Sequence, residues 1–133
     1  MEDVEAIIRE VIDCGYQIHR DLGPGLLDSA YEILMTAGVR ASGLQVATQV
    51  PVRMSYRGIT VENAFRVDML VEGRLVIELK SVERTSPVHA KQVLTYLRVM
   101  DLPLGLLINF GLPTYREGIK RIANGYDEPR QAR

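Results

Sequence analysis

The segment from Asp68 to Lys80 constrains the fold most, because it reads as a β-hairpin that carries charges inside its strands. An apolar run precedes the turn signal Glu72-Gly73, and a second apolar run follows it. Strands covered on both faces should be apolar throughout, yet Asp68, Glu78 and Lys80 interrupt these runs. Charges buried without partners are costly, so the pattern predicts a divalent cation with an ammonium group beside it.

The turn decides whether the two carboxylates can share one ion. Side chains alternate along a strand, so a two-residue Glu72-Gly73 loop would place Asp68 on the face opposite to Glu78. A three-residue loop that starts at Val71 pairs Asp68 with Val76 and puts it diagonal to Glu78, with Cα atoms roughly 7–8 Å apart. A metal site therefore requires the bulged turn, with its glycine in the left-handed conformation.

Three helices are predicted around this hairpin. Apolar residues at helical spacing indicate a first helix over 4–20 and a second over 27–41. Ser86-Pro87 supplies an N-cap and a first-turn proline for a third helix that ends near residue 100.

Further strands complete an α/β fold. Alternation over 50–56 predicts a first strand, with Pro51 near a sheet edge. The all-apolar run 104–110 predicts a buried strand, and a short element over 115–123 follows it. The expected order is αα-βββ-α-β(β), which is typical of a mixed β-sheet flanked by helices.

Length and composition are ordinary for a globular domain of 133 residues. We expect one domain over 1–124 and a C-terminal tail over 125–133. The single cysteine, Cys14, excludes an internal disulfide. No apolar run approaches the ~20 residues of a membrane span, and the acidic N-terminus is unlike a signal peptide. We therefore expect a cytoplasmic protein without a membrane contact.

Charge is distributed unevenly along the chain. The net charge of −1 argues against a strongly basic nucleic-acid binder. Residues 1–32, however, hold eight acids and two bases, whereas the remaining residues hold nine acids and fourteen bases. The hairpin therefore lies in the moderately basic part of the chain, which permits phosphate binding without establishing it.

Three motifs resemble those of one nuclease superfamily. Asp68, nine residues and then Glu78-Leu79-Lys80 resemble the catalytic core of the PD-(D/E)XK superfamily, which has a restriction-endonuclease-like fold. The segment Gln92 to Tyr96 is similar to the Q-x-x-x-Y motif of its RecB-like branch. Leu22 to Tyr31 resembles the signature of its small GxxExxY proteins, with Asp28 in place of the signature glutamate.

The resemblance implies metal-dependent hydrolysis of phosphodiester bonds in nucleic acid, with DNA expected rather than RNA. Asp68, Glu78 and the Leu79 carbonyl would bind Mg²⁺ or Mn²⁺, since hard cations prefer oxygen ligands. Asp28, one methylene shorter than the expected glutamate, would reach the ion through water. Lys80 would stabilise the developing charge or orient the attacking water.

Four more residues enter the predicted site through the same resemblance. Gln92 is expected to act in catalysis, lining the pocket from the third helix. His19, Tyr31 and Tyr96 are expected to support the pocket.

Each of these residues also has a simpler interpretation. Charges on the hairpin are often solvated edge-strand residues, and Asp28 suits the first turn of a helix because of the helix dipole. A lone histidine such as His19 is more often structural than catalytic, and Tyr31 could be plain core. The chain could also be a non-catalytic module that binds nucleic acid or protein with a nuclease fold. A homodimer or a protein partner is left open by the sequence.

Overall fold

This computed structural model describes residues 3–126. The described chain begins with two helices. Helix α1 (Val4–Leu22) begins after Asp3, whose side chain accepts a hydrogen bond from an N–H of the first turn. It ends at Gly23, which has a φ of 77°, a conformation that favours glycine. Helix α2 (Asp28–Ala41) follows after a short loop. The predicted pair of helices is confirmed.

Five strands form one mixed sheet whose spatial order follows the chain. The strands are β1 (Val46–Tyr56), β2 (Ile59–Val71), β3 (Leu75–Lys80), β4 (Leu104–Asn109) and β5 (Ile119–Ala123). Helix α3 (Pro87–Met100) connects β3 to β4, so these two strands are parallel while the other neighbours are antiparallel. The predicted fold class and element order are confirmed.

The sheet is covered on both faces, which explains the apolar centre of β3 and β4. One face packs against α1 and α2, and the other packs against α3. Every residue of β4 is buried, as the all-apolar run predicts for a central strand. The first face includes Leu75, Ile77 and Leu79, and the second includes Val76 and Leu107.

The β1–β2 ribbon changes sides at Gln49 and Asp68. Met69 packs with the α1–α2 side of the core, whereas Val67, two residues earlier, packs with the α3 side. Regular alternation would place both on one face. On the neighbouring strand, Gln49 has a φ of 49°, a left-handed conformation that is uncommon outside glycine. Asp68 therefore lies at the point where the alternation of β2 is interrupted and its inward-facing residues change from one side of the sheet to the other.

The described residues reach just past the predicted end of the domain at residue 124. The Tyr126 hydroxyl bonds to the Glu5 carboxylate, so contacts with α1 continue beyond residue 124. The rest of the predicted tail, 127–133, lies outside the described residues, and the domain limits stay a prediction. None of the described helices is long and apolar enough to span a membrane.

Candidate active site

The hairpin between β2 and β3 closes with a three-residue loop that starts one residue later than predicted. Val71 pairs with Leu75, so the loop is Glu72 to Arg74, and the predicted loop Val71–Gly73 is wrong by one residue. The reason is tertiary, because the Glu72 carboxylate and N–H both bond to the backbone of Gln45. The prediction of a positive φ at Gly73 is confirmed, at 64°.

This register brings the two carboxylates of the hairpin face to face. Extending the pairs Met69–Ile77 and Leu70–Val76 places Asp68 directly opposite Glu78 instead of diagonal to it. The Asp68 N–H donates to Glu78 Oε1 at 3.1 Å, and the Leu79 N–H donates to Asp68 Oδ2 at 2.9 Å. At this end of the β2–β3 pairing, these two backbone N–H groups therefore donate to side-chain carboxylates instead of backbone carbonyls.

Electrostatics make this pair unusual. Glu78 is 5% exposed. Burial raises the pKa of its carboxyl from 4.5 to about 8; the charge of Asp68 adds to the rise, and Lys80 opposes it. Two carboxylates in contact cannot both ionise without a compensating charge, so at neutral pH this pair retains a proton. Such a pair is suited to exchanging its proton for a cation.

Lys80 ends β3 next to this pair. It is half-buried and lies beside Asn109 of β4 in the parallel register. The opposing effect of Lys80 on the Glu78 pKa shows that its ammonium acts on the site. Among residues 3–126, no carboxylate lies within 4 Å of that ammonium, which leaves it available to a phosphate.

Asn109 fixes the chain that leaves β3. Its side chain is completely buried and bonds to both the N–H and the carbonyl of Val82, to the Thr85 hydroxyl and to the Gly111 N–H. A Cβ on Gly111 would lie 2.3 Å from the Val82 carbonyl oxygen, so only glycine permits this approach. This clamp holds the segment between Lys80 and α3 in one position.

Two residues that the sequence did not single out join the site from the other side. Gln49 Nε2 donates to Glu32 Oε1 at 2.6 Å and lies 3.3 Å from Asp68 Oδ1, so it bridges the two carboxylates. Burial raises the pKa of Glu32, and the nearby charges of Asp68 and Asp28 add to the rise while the Gln49 bond opposes it. Glu32 was within reach of prediction, because it lies one helical turn after Asp28 on the same face.

Asp28 lies across a small cavity from Asp68. The cavity has a volume of about 140 Å³ and is lined by Asp28, Ser29, Glu32, Gln49 and Asp68. Asp28 is the first residue of α2 and is exposed, so it also keeps the favourable position at the helix N-terminus. The cavity therefore joins the hairpin to the start of α2.

His19 and Tyr31 make contacts within the fold. His19 Nε2 lies 3.0 Å from the Leu112 carbonyl oxygen. Tyr31 is completely buried, stacks on Phe110 at 4.2 Å between ring centroids, and donates from its hydroxyl to the Gly23 carbonyl. Tyr31 thereby anchors the loop that aims α2 at the cavity, and a supporting role for both residues stays a prediction.

Tyr96 and Gln92 differ although they are one turn apart on α3. Tyr96 is buried and stacks on Phe65 with 4.0 Å between ring centroids. Burial raises the pKa of its hydroxyl, and the charges of Glu78 and Asp68 add to the rise. Gln92 is exposed and is absent from the residues that line the cavity, so its catalytic role stays a prediction.

The residues present fit a divalent cation in part. Asp68 and Glu78 supply two close carboxylates whose shared proton a cation could replace. Within residues 3–126, however, no three or more acidic, histidine or cysteine side chains converge closely enough to form a complete protein-made site. A cation held here would therefore keep several water ligands, as Mg²⁺ commonly does.

A model of the PD-(D/E)XK nuclease superfamily matches residues 5–122. This chain belongs to the PD-(D/E)XK nuclease superfamily. Proteins of this superfamily generally depend on divalent metals and act on nucleic acid.

The structural comparison agrees at the level of the fold. The crystal structure of SSO0001 superposes with a TM-score of 0.55 and 16% sequence identity, over 75% of this chain and 52% of that one. At this identity the likeness shows the fold alone, and the present chain spans about half of the solved protein. No curated protein matches this chain.

Proposed function

We propose that this protein is a nuclease that hydrolyses phosphodiester bonds with the help of Mg²⁺ or Mn²⁺. The observation that carries the proposal is the contact between Asp68 and the buried Glu78, a pair whose proton a cation could replace beside Lys80. Superfamily membership supports a nucleic-acid substrate, and we expect DNA rather than RNA. Gly25 to Tyr31 and Gln92 to Tyr96 support a place among the GxxExxY proteins of the RecB-like branch. A cytoplasmic location is also proposed.

In the proposed reaction, a water oxygen attacks the phosphorus while the bond to the leaving oxygen breaks. Asp68, Glu78 and the Leu79 carbonyl would hold the cation, with Asp28 or Glu32 acting through water. The cation would make a bound water more acidic and neutralise phosphate charge. The Lys80 ammonium would stabilise the charge that develops on the phosphate oxygens, for which it needs no change in pKa.

The second candidate function is a binding module that keeps the fold without catalysis. It is favoured by the absence, in the described part of the chain, of three converging metal-ligating side chains. The replacement of the signature glutamate by Asp28 points in the same direction. Such a module could bind nucleic acid, another protein or a second copy of this chain.

Cleavage assays separate the two functions. Labelled single- and double-stranded DNA and RNA are incubated with the protein in Mg²⁺, in Mn²⁺ and in EDTA. We expect at least one substrate to be cut only when a metal is present. Lys80→Ala should reduce the rate by about 100-fold or more, because charge stabilisation in the transition state is lost. Lys120→Ala, at an exposed lysine of β5 outside the hairpin, provides the control. Nucleic-acid binding without metal-dependent cleavage of any substrate would favour the module.

Substitutions of the acidic residues of α2 should change the affinity of the protein for Mn²⁺ to different extents. Asp28→Glu should keep or raise the affinity for Mn²⁺, because the longer side chain reaches further across the cavity, whereas Asp28→Asn should lower it. Glu32→Gln should lower it more, since Glu32 already contacts Asp68 through Gln49. Calorimetric titration of the three variants measures this order. Unchanged affinity in Asp28→Asn and Glu32→Gln would exclude α2 from the cation site.

A further inference from the structure

Strands β1 and β2 continue past the cover of α3 as a two-stranded ribbon. Residues 53–64 of this ribbon, here called the arm, are exposed or half-buried throughout. The arm ends in a two-residue turn at Arg57-Gly58, where both residues have positive φ and Tyr56 pairs with Ile59. Thr60 lies eight residues before Asp68 along β2, a reach of about 26 Å from the catalytic hairpin at about 3.3 Å per residue.

The two faces of the arm differ in character. On one face the polar groups satisfy one another, since Arg53 pairs with Glu62 at 3.6 Å and Ser55 bonds to Thr60 at 3.0 Å. The other face is apolar and open to solvent, with Tyr56 61%, Ile59 67% and Val61 43% exposed. Exposed apolar surface of this kind usually marks an interaction site.

The apolar face leads to the catalytic hairpin. Beyond a register shift between Val52 and Met54, the next pair along the ribbon, Val52 and Phe65, packs on the α3 side of the core. Phe65 stacks on Tyr96, and Tyr96 packs in one cluster with Val67, the residue before Asp68, and with Val76 of β3. A ligand that lies on the arm is therefore directed to the carboxylate pair.

The charge on this side of the molecule is positive. Helix α3 contains Lys91 and Arg98 and no acidic residue, whereas residues 1–32, which supply α1 and the start of α2, hold eight acids and two bases. Arg57, whose guanidinium lies 5.3 Å from the centre of the Tyr56 ring at the tip of the arm, forms no ion pair within residues 3–126. A polyanion that approaches the acidic site would be attracted to this side.

We propose that the arm and the exposed face of α3 bind single-stranded nucleic acid and deliver it to the catalytic hairpin. Bases would stack on Tyr56 and the apolar residues around it, while phosphates would contact Arg57 and Lys91. Exposed bases are a property of single strands, which proteins bind by combining aromatic platforms with basic grooves. The basic charge favours this occupant over a second copy of the chain. The inference rests on the proposed function and assigns its substrate class.

The distance between the hairpin and the tip of the arm determines how binding should depend on the length of the oligonucleotide. At about 3.4 Å per nucleotide of a stacked strand, the distance from the catalytic hairpin to the tip of the arm corresponds to roughly eight nucleotides. An oligonucleotide of twenty nucleotides should therefore bind through both the hairpin and the arm, whereas a hexanucleotide held at the hairpin should fall short of the arm tip.

The test is fluorescence anisotropy of labelled oligothymidylates in EDTA, which separates binding from cleavage. Tyr56→Ala and Arg57→Gln should each weaken binding of the 20-mer at least fivefold and leave binding of the 6-mer within twofold. Tyr16→Ala and Arg9→Gln, at an exposed aromatic and an exposed arginine of α1, are matched controls that should not change binding. Melting curves verify that each variant is folded.

Each alternative result has a defined meaning. Equal affinities of the arm variants and wild type, or no binding of the 20-mer by wild type, would overturn the inference. Tighter binding of a 20-base-pair duplex would overturn the assignment to single strands. A wild-type dimer that Tyr56→Ala dissociates, with 20-mer affinity unchanged, would make the arm a contact between copies and also overturn it. Arm-dependent binding without cleavage in Mn²⁺ would support the inference while rejecting the proposed catalysis.

Discussion

Glu78→Gln is expected to abolish cleavage and to stabilise the protein at the same time. The amide keeps the shape of the side chain and can accept the hydrogen bond from the Asp68 N–H. It cannot replace the carboxylate as a metal ligand, so we expect cleavage to fall by about 1000-fold or more, equivalent to about 4 kcal/mol of transition-state stabilisation. It also removes the repulsion between the buried Glu78 carboxylate and that of Asp68, which should make the folded state more stable.

The gain in stability should depend on pH with a definite sign. The folded-state pKa of Glu78 is raised from 4.5 to about 8, so between these values the folded protein holds a proton that the unfolded chain has lost. The wild-type free energy of unfolding therefore falls as the pH rises through this window and levels off above it. The free energy of unfolding of Glu78→Gln does not fall in this way. It should therefore exceed that of wild type only slightly at pH 5 and by on the order of 2–4 kcal/mol at pH 9.

Thermal and urea unfolding at pH 5, 7 and 9 measure this difference. Glu62→Gln is the matched control, because Glu62 is an exposed carboxylate of the neighbouring strand β2 and should show no such trend. If Glu78→Gln were less stable than wild type at pH 9, the carboxylate would have a structural role, and the interpretation of the pair as a cation site would be wrong.

The sequence was sufficient to predict the hairpin because a hairpin depends on local rules. Alternation fixes the common face of Glu78 and Lys80, and a glycine after Glu72 indicates a turn that needs a left-handed residue. The helices followed from apolar spacing and from caps such as Ser86, whose hydroxyl does accept a hydrogen bond from the third helix. The superfamily and fold class that these patterns implied are confirmed.

The details that were missed depend on contacts between distant parts of the chain. The loop register is set by the bonds between Glu72 and Gln45, which hairpin rules do not include. The reversal of the β1–β2 ribbon at Asp68 breaks the alternation on which strand interpretation depends. Because of that reversal, Gln49 can link Asp68 to Glu32, a connection between three segments that sequence spacing alone does not reveal.

The affinity for Mn²⁺ is expected to fall about tenfold for each pH unit below 8. Below this pH the Asp68–Glu78 pair retains a proton, because burial and the neighbouring charge raise the pKa of Glu78 to about 8. A cation must displace that proton in order to bind, so binding becomes linked to the release of one proton. From pH 8 to pH 6 the dissociation constant should rise about 100-fold, and above pH 8 it should change little.

Calorimetric titration at four pH values between 6 and 9, in buffers of different ionisation enthalpy, measures both the affinity and the number of protons released. Close to one proton should be released at pH 6 and almost none at pH 9. Glu62→Gln should reproduce the wild-type curve, whereas Glu78→Gln should not bind the ion measurably. An affinity that stays constant between pH 6 and pH 8 would show that the proton is not held where the cation binds. The carboxylate pair would then stabilise the hairpin, and the cation site would have to be sought on the α2 side of the cavity, at Asp28 and Glu32.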